Sequence, residues 1–306
     1  MQRIVAIVGA TATGKTDLGE AIARALGGEV VCADARQVFA ELDIGTGKPT
    51  RAERAARPHH LFEALSLGDR ASAGTWARLA RRACGELMAR GVTPVLVGGS
   101  GLYLRALMEG LNAEPPHAPE VRERLLAQLA AEGPEALHAR LAGVDPVTAA
   151  RLAPRDRQRI VRALEVHAAS GRALSWWHAH APREGLAGDW RVLELACASA
   201  VLAGRIERRT HSMFEGGLVE ETRALLDRGL RAPLQHLRAI GYDEAIDLLE
   251  GRRDRDSAES LTTSRTRALA KRQGTWFRHQ VRAERMAAGE VDEDRLLAGA
   301  MAALRL

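Results

Sequence analysis

The 306-residue sequence predicts an α/β protein, a parallel-sheet core flanked by helices and interrupted by an all-helical insertion. Three observations predict it. Short β-branched runs alternate with helical spacings over the first hundred residues. A glycine-rich loop joins the first run to its helix. From about residue 112, strand signals vanish and prolines punctuate helical stretches. The three cysteines, Cys32, Cys84 and Cys197, are odd in number and form no CxxC pair, which argues against a disulfide framework or a zinc ribbon. No apolar run approaches the roughly 18 residues that span a bilayer. A cytoplasmic chain with no membrane partner is expected.

The elements follow in order. Residues 4–8 are a buried parallel strand, 9–14 its turn, and 15–26 a helix stopped by Gly27 and Gly28. Residues 29–33 form a second strand that ends at Asp34. Residues 76–90 read as an amphipathic helix, and 94–97 as a third strand that runs into Gly98-Gly99-Ser100-Gly101. Ligands of parallel sheets gather at the carboxyl ends of strands, where Asp34 and Ser100 both fall. Residues 112–187 read as the helical insertion, with helices over 121–131 and 159–169, bounded by Pro115-Pro116 and by Arg183-Glu184-Gly185. The core is then 1–111 with 188–306. Residues 191–196 return as a strand, and the remainder reads as helical, closing with one long helix over 257–287.

The sharpest motif is Gly9-Ala10-Thr11-Ala12-Thr13-Gly14-Lys15-Thr16, a GxxxxGK[ST] loop in its required context, strand before and helix after. Such a loop turns successive backbone N–H groups and a helix N-terminus toward a phosphate chain. Lys15 adds a mobile positive charge, and Thr16 offers a hydroxyl to Mg²⁺. The core is therefore P-loop NTPase-like and its ligand contains a diphosphate. Asp34 suits either of two roles, support of a metal or acceptance of a proton. Only three of the 44 basic residues are lysines, Lys15, Lys48 and Lys271, so each reads as a place where arginine's planar fork does not serve. Positive charge is local. Arg151, Arg155, Arg157, Arg159 and Arg162 face only Asp156, and residues 265–285 hold seven basic side chains against Glu284. These two patches are candidates for contact with nucleic-acid phosphate.

Asp34-Ala35-Arg36-Gln37-Val38-Phe39 and Asp43-Ile44-Gly45-Thr46-Gly47-Lys48-Pro49 together resemble the D-S-R-Q-V-Y…D-I-G-T-A-K-P signature of the tRNA dimethylallyltransferases, the bacterial isopentenyl-tRNA transferase group. Further blocks resemble that family in its order: His59-His60-Leu61, Gly98 to Tyr103, Gln158 to Val166, Ile240 to Glu244, and Thr266-Arg267 through Arg278. The resemblance implies transfer of a dimethylallyl group from dimethylallyl diphosphate to N6 of the adenosine just 3′ of the anticodon, with Mg²⁺ at Thr16. It casts Asp34 as general base, Thr11 as the partner of the oxygen bridging carbon and diphosphate, and Arg205 as a further charge on the leaving group. The expected chain is a monomer.

By the same resemblance, tRNA is lined by Asp34, Ala35, Arg36 and Gln37, by Ser100 and Arg122, and by Gln158, Arg159, Ile160, Val161 and Arg162. A third group is Arg238, Ala239, Ile240, Gly241, Tyr242 and Asp243. The last is Lys271, Arg272, Gln273, Gly274, Thr275, Trp276, Phe277 and Arg278. The insertion would grip the anticodon stem-loop. This chain departs from the family pattern at Ala10, Thr13, Ala35, Phe39 and Ser100, where proline, serine, serine, tyrosine and threonine are usual. Two other enzymes share parts of the pattern, a free-nucleotide isopentenyltransferase and a P-loop kinase. The insertion and the arginine patches favour a macromolecular acceptor over the first, in the second Asp34 would support metal instead of taking a proton, and a pure RNA-binding module would not need Lys15 and Asp34 together.

Overall fold

A computed structural model describes residues 2–69, 71–111, 117–180, 185–289 and 292–306. The boundary residues Pro115, Pro116, Arg183 and Glu184 lie outside the described residues. The chain divides into two units, Met1–Met108 with Leu186–Leu306, and Glu109–Gly185.

The first unit begins with β1 (Arg3–Val8), α1 (Lys15–Leu26), β2 (Glu29–Cys32), α2 (Arg51–Ala56), β3 (His59–His60), α3 (Ala73–Ala89), β4 (Pro94–Gly98) and α4 (Gly101–Met108). The second unit follows, with α5 (Pro119–Glu132), α6 (Pro134–Val144), α7 (Pro146–Arg151), α8 (Arg157–Ser170) and α9 (Leu174–His180). The chain then completes the first unit with β5 (Asp189–Ala196), α10 (Ser199–Glu215), α11 (Leu218–Asp227), α12 (Arg231–Leu237), α13 (Tyr242–Leu249), α14 (Arg255–Gln280), β6 (Glu284–Ala287) and α15 (Glu293–Leu304). No described helix is long and apolar enough to cross a membrane.

Among the described residues six strands form one sheet in the order β3-β2-β4-β1-β5-β6, every pair parallel. Helices cover both faces, which is why β1 reads as an unbroken apolar run rather than an alternation. Its residues nevertheless divide by parity. Ile4, Ala6 and Val8 pack with Trp76, Leu104, Tyr242 and Phe277. Val5 and Ile7 pack with Leu18, Ile22, Ala300 and Leu304 on the other face. Trp76 also ties α3 to the end of β2, since its indole N–H donates to the Cys32 carbonyl at 2.9 Å and its ring stacks on Tyr103.

One expectation is corrected here. The long closing helix ends at Gln280, where Val281 turns to extended backbone, and residues 284–287 are the edge strand β6 paired with β5. Its sequence, Glu284-Arg285-Met286-Ala287, favours helix, so ladder bonds to Leu193 through Ala196 override local propensity. His59-His60, one of the blocks of the family resemblance, forms the short edge strand β3 against Val30 and Val31. Within the second unit, Leu137, Leu141, Ile160, Val161 and Ala163 form a separate helical core.

Candidate active site

The carboxyl ends of β1, β2 and β4 bring the sequence motifs to one place. Leaving β1, the glycine-rich loop folds over its own lysine: Lys15 Nζ donates to the Ala10 carbonyl at 3.1 Å, and Thr13 Oγ1 donates to the same oxygen at 2.9 Å. Burial pulls the Lys15 ammonium down to about 8, with Asp34 opposing that shift and Arg209 adding to it. Lys15 and Thr16 line both an enclosed cavity that also contains Asp34, Gln37 and Thr11, and an open cleft of about 720 Å³ on the outer side of the loop.

Asp34 follows β2 directly. Its Oδ1 accepts the backbone N–H of Arg36 at 2.9 Å and of Gln37 at 3.4 Å, an Asx turn that aims the carboxylate without engaging another side chain. Ser100, at the end of β4, accepts the Ala35 N–H at 2.8 Å and so holds the same loop from the far side. Arg36 donates to the Leu237 carbonyl at 2.8 Å, and Gln37 Nε2 to those of Thr46 and Gly47 at 3.2 and 3.0 Å.

Thr11 is held at two points. Arg209 Nη1 donates to its hydroxyl oxygen at 3.0 Å, and its backbone N–H donates to Gln273 Oε1 at 2.9 Å. The guanidinium of Arg209 also reaches the Thr46 carbonyl at 3.0 Å and lines the cavity with Asp34 and Lys15. Arg205, one turn earlier on α10, lies outside the loop, where it donates to the carbonyls of Thr13 at 3.2 Å and Gly289 at 3.4 Å and lines the open cleft. The arginine beside Thr11 and Asp34 is therefore Arg209, where the resemblance casts Arg205. A signal existed: Leu202, Ile206 and Thr210 mark the inward stripe of α10, and Arg209 shares it at helical spacing.

The remaining expected residues sort by exposure. Ile160, Val161, Ala239, Tyr242 and Phe277 are core residues, each 2% exposed or less, so their side chains are not available to RNA. These five members of the RNA list sit in the core, where they support the segments that carry their exposed neighbours. Gly241 is likewise buried, its N–H donating to the Glu244 carboxylate at 2.7 Å. Arg238, Lys271, Arg272, Thr275 and Arg278 are exposed, and Ile240, Gly274 and Trp276 partly so. Asp243 pairs with Arg265 at 3.0 Å. In the second unit Gln158 and Arg159 are exposed, while Arg122 and Arg162 lie 3.1 and 3.2 Å from the buried Glu165. Burial alone would raise that carboxyl. The Ala118 N–H, Arg162 and Arg122 together hold it below the usual range. Lys48 is a structural pin, fully buried at its side chain and bonded to the Phe39 carbonyl at 2.8 Å and to Asp43 at 2.9 Å. His59 and Glu20 pair beside the enclosed cavity.

Among the described residues no group of three or more His, Cys, Asp or Glu is arranged to hold a metal ion. Thr16 supplies one hard oxygen beside Lys15. That donor set fits a Mg²⁺ that takes most of its ligands from a bound diphosphate and water.

Comparison with known proteins gives a consistent picture. A family model described as IPP transferase matches residues 37–280, and one described as isopentenyl transferase matches residues 2–62. The tRNA dimethylallyltransferase of Myxococcus xanthus is 46% identical over 280 residues, covering 90% of each chain. That of Streptomyces coelicolor is 42% identical over 294 residues, 96% of this chain and 93% of its own. Among solved structures, the full-length tRNA isopentenylpyrophosphate transferase of Bacillus halodurans aligns at TM-score 0.70 and 33% identity, covering 100% of this chain and 97% of its own. A eukaryotic dimethylallyltransferase described as acting on tRNA aligns at TM-score 0.77 and 24% identity over 95% of this chain and 75% of its own, a likeness of fold.

Proposed function

The chain belongs to the IPP transferase family and is a tRNA prenyltransferase; we propose that its donor is dimethylallyl diphosphate and its acceptor N6 of the adenosine immediately 3′ of the anticodon. One observation carries this reading. A diphosphate cradle and an unpaired carboxylate, Lys15 with Thr11 on one side and Asp34 on the other, line a single enclosed cavity. A kinase of this loop type would use the carboxylate near the metal, whereas here Asp34 opens onto the space between the cradle and Gln37.

The donor diphosphate lies along the loop amides, and its allylic carbon projects into the cavity. The target adenosine is extruded from the anticodon loop, at a cost of a few kcal/mol, because its N6 is not reachable while stacked. N6 attacks the first carbon of the dimethylallyl group, the C–O bond to diphosphate breaks, and the N6 proton passes to Asp34. Negative charge gathers on the departing oxygen. The Thr11 hydroxyl, with its lone pair already engaged by Arg209, turns its hydrogen to that oxygen, while Arg209 and Lys15 supply positive charge. Mg²⁺, held by Thr16 and the diphosphate, would neutralise further charge on the leaving group.

The exposed cations of α14, Lys271, Arg272 and Arg278, and those near the start of α8 supply phosphate contacts for the anticodon stem-loop, with the chain acting as a cytoplasmic monomer. The test is incubation with unmodified tRNA and isotopically labelled dimethylallyl diphosphate, beside AMP and ATP as acceptors, followed by mass spectrometry of the nucleosides. A five-carbon gain on adenosine from tRNA alone is expected. Gain on free AMP or ATP, or hydrolysis of a nucleoside triphosphate without prenyl transfer, overturns the reading.

A further inference from the structure

Gln273 stands in a segment whose neighbours Lys271, Arg272 and Arg278 point to solvent, yet its own carboxamide is bonded within the protein at both its oxygen and its nitrogen. Oε1 accepts the Thr11 N–H at 2.9 Å, and Nε2 donates to the Gly99 carbonyl at 3.0 Å. One side chain thus joins α14 to the diphosphate loop after β1 and to the turn after β4. These two segments are brought together by no sequence proximity, since Thr11 is 262 residues and Gly99 174 residues from Gln273.

The turn is shaped to receive α14. A Cβ built on Gly99 would lie 2.5 Å from Gln273 Nε2, and one on Gly101 would overlap the ring of Trp276. The amide plane of Gln273 and the indole of Trp276 therefore sit directly on bare backbone at these two glycines. Between them, Ser100 accepts the Ala35 N–H at 2.8 Å and so sets the loop that aims Asp34. The same helix consequently holds both halves of the reaction centre. On the leaving-group side, Gln273 fixes the Thr11 backbone while Arg209 fixes its hydroxyl oxygen. On the base side, the seat at Gly99 and Gly101 fixes Ser100 and, through it, the turn at Asp34.

We infer that Gln273 is a positioning residue of the transfer step, which locks the Thr11 N–H and the Gly99 turn so that the Thr11 hydroxyl faces the breaking C–O bond. It is not an RNA contact. One lone pair of Oε1 and one N–H of Nε2 are committed to this brace, so an RNA group that drew the carboxamide outward would break it. The amide is also the one chemistry that serves here, because the site needs an acceptor for an N–H and a donor for a carbonyl on a single planar group. Glutamate would offer the acceptor but set a second lone-pair oxygen against the Gly99 carbonyl, and lysine would do the reverse at Thr11.

The inference rests on the prenyl-transfer reading, and the experiment separates the two. Gln273→Ala, Gln273→Glu and Thr11→Ala, singly and with Gln273→Ala combined with Thr11→Ala, are assayed at saturating tRNA and donor, with tRNA Kd measured separately by filter binding and folding by thermal melting. Failure of the wild-type chain to prenylate tRNA would end the functional reading itself. With wild-type activity present, Gln273→Ala is expected to lower kcat by about 10²-fold at unchanged tRNA Kd, since a misplaced catalytic group costs that order of rate. In the Thr11→Ala background the same change is expected to cost clearly less than in the wild-type background, because the hydroxyl it aims is gone and only its hold on the Gly99 turn is left to lose. Gln273→Glu should resemble Gln273→Ala. A raised tRNA Kd with kcat retained would make Gln273 an RNA contact. Equal losses of kcat with and without Thr11, or a loss matched by the fraction unfolded, would make it a structural residue; either result overturns the inference.

Discussion

Asp34, Arg209 and Lys15 each do something that their neighbours in sequence do not. Asp34→Asn keeps the shape and the Asx turn but removes the proton acceptor, so transfer is expected to fall about 10²- to 10⁴-fold at unchanged tRNA affinity. Weakened tRNA binding with activity retained would count against the base assignment. Arg209→Ala should lower kcat by about 10²-fold through loss of charge at the leaving oxygen, and Arg205→Ala by clearly less, because Arg205 bonds the backbone carbonyls of Thr13 and Gly289 and not the Thr11 hydroxyl. Parallel kinetics of the two variants decide between them. Lys15 carries a pH signature: burial lowers its ammonium to about 8, so the free enzyme holds the charge below that pH and loses it above. The kcat/KM for donor is expected to bend downward near pH 8 and then fall about tenfold per pH unit. The kcat should bend later, since a bound diphosphate favours the charged lysine. A kcat/KM profile that stays flat through this region contradicts the assignment.

At the scale of elements, the helix α14 shows how one segment serves two sides. Its inward residues Ala258, Thr262, Ala270 and Phe277 are buried, and its outward Lys271, Arg272 and Arg278 form an exposed positive edge. Positive charge over residues 265–285 was legible in the sequence, but part of it is spent internally: Arg265 pairs with Asp243 and Glu244, Arg267 with Glu207, and Arg285 with Glu194. The phosphate-facing share is therefore smaller than the charge count. Lys271→Ala and Arg159→Ala should each weaken tRNA binding and reduce the slope of log K against log salt by about one. Titration of tRNA at several salt concentrations checks this, and an unaltered slope means the side chain faces elsewhere. The end of α14 was not legible, because the strand that follows it is helix-favouring in composition and extended only by pairing with β5.

For the molecule as a whole, the insertion has its own core, so its stability is separable from that of the sheet unit. Leu141, wholly buried in that core, is the place to ask what the insertion does. Leu141→Ala is expected to destabilise the insertion by about 2–5 kcal/mol. Transfer to tRNA should suffer while binding of a donor analogue persists, as measured by proteolysis of the insertion beside calorimetry of the donor. Loss of donor binding with the insertion still folded would show that the two units do not divide the work in this way.

The alternation of β1, α1, β2, α3 and β4, the glycine-rich loop, and the position of Asp34 at a strand end were determined by local sequence, whereas the short α2 and β3 gave no such signal. Each depends on a short run of side chains and its immediate turn, and such signals survive without knowledge of the rest of the chain. Which arginine of α10 faces Thr11, which residues of the RNA list are core, and which side chain locks the loop from behind were decided by tertiary structure alone. Those answers depend on the phase of a helix against a distant surface. Gln273 and Thr11 meet only because the parallel sheet brings the ends of β1 and β4 to one edge and α14 packs across it.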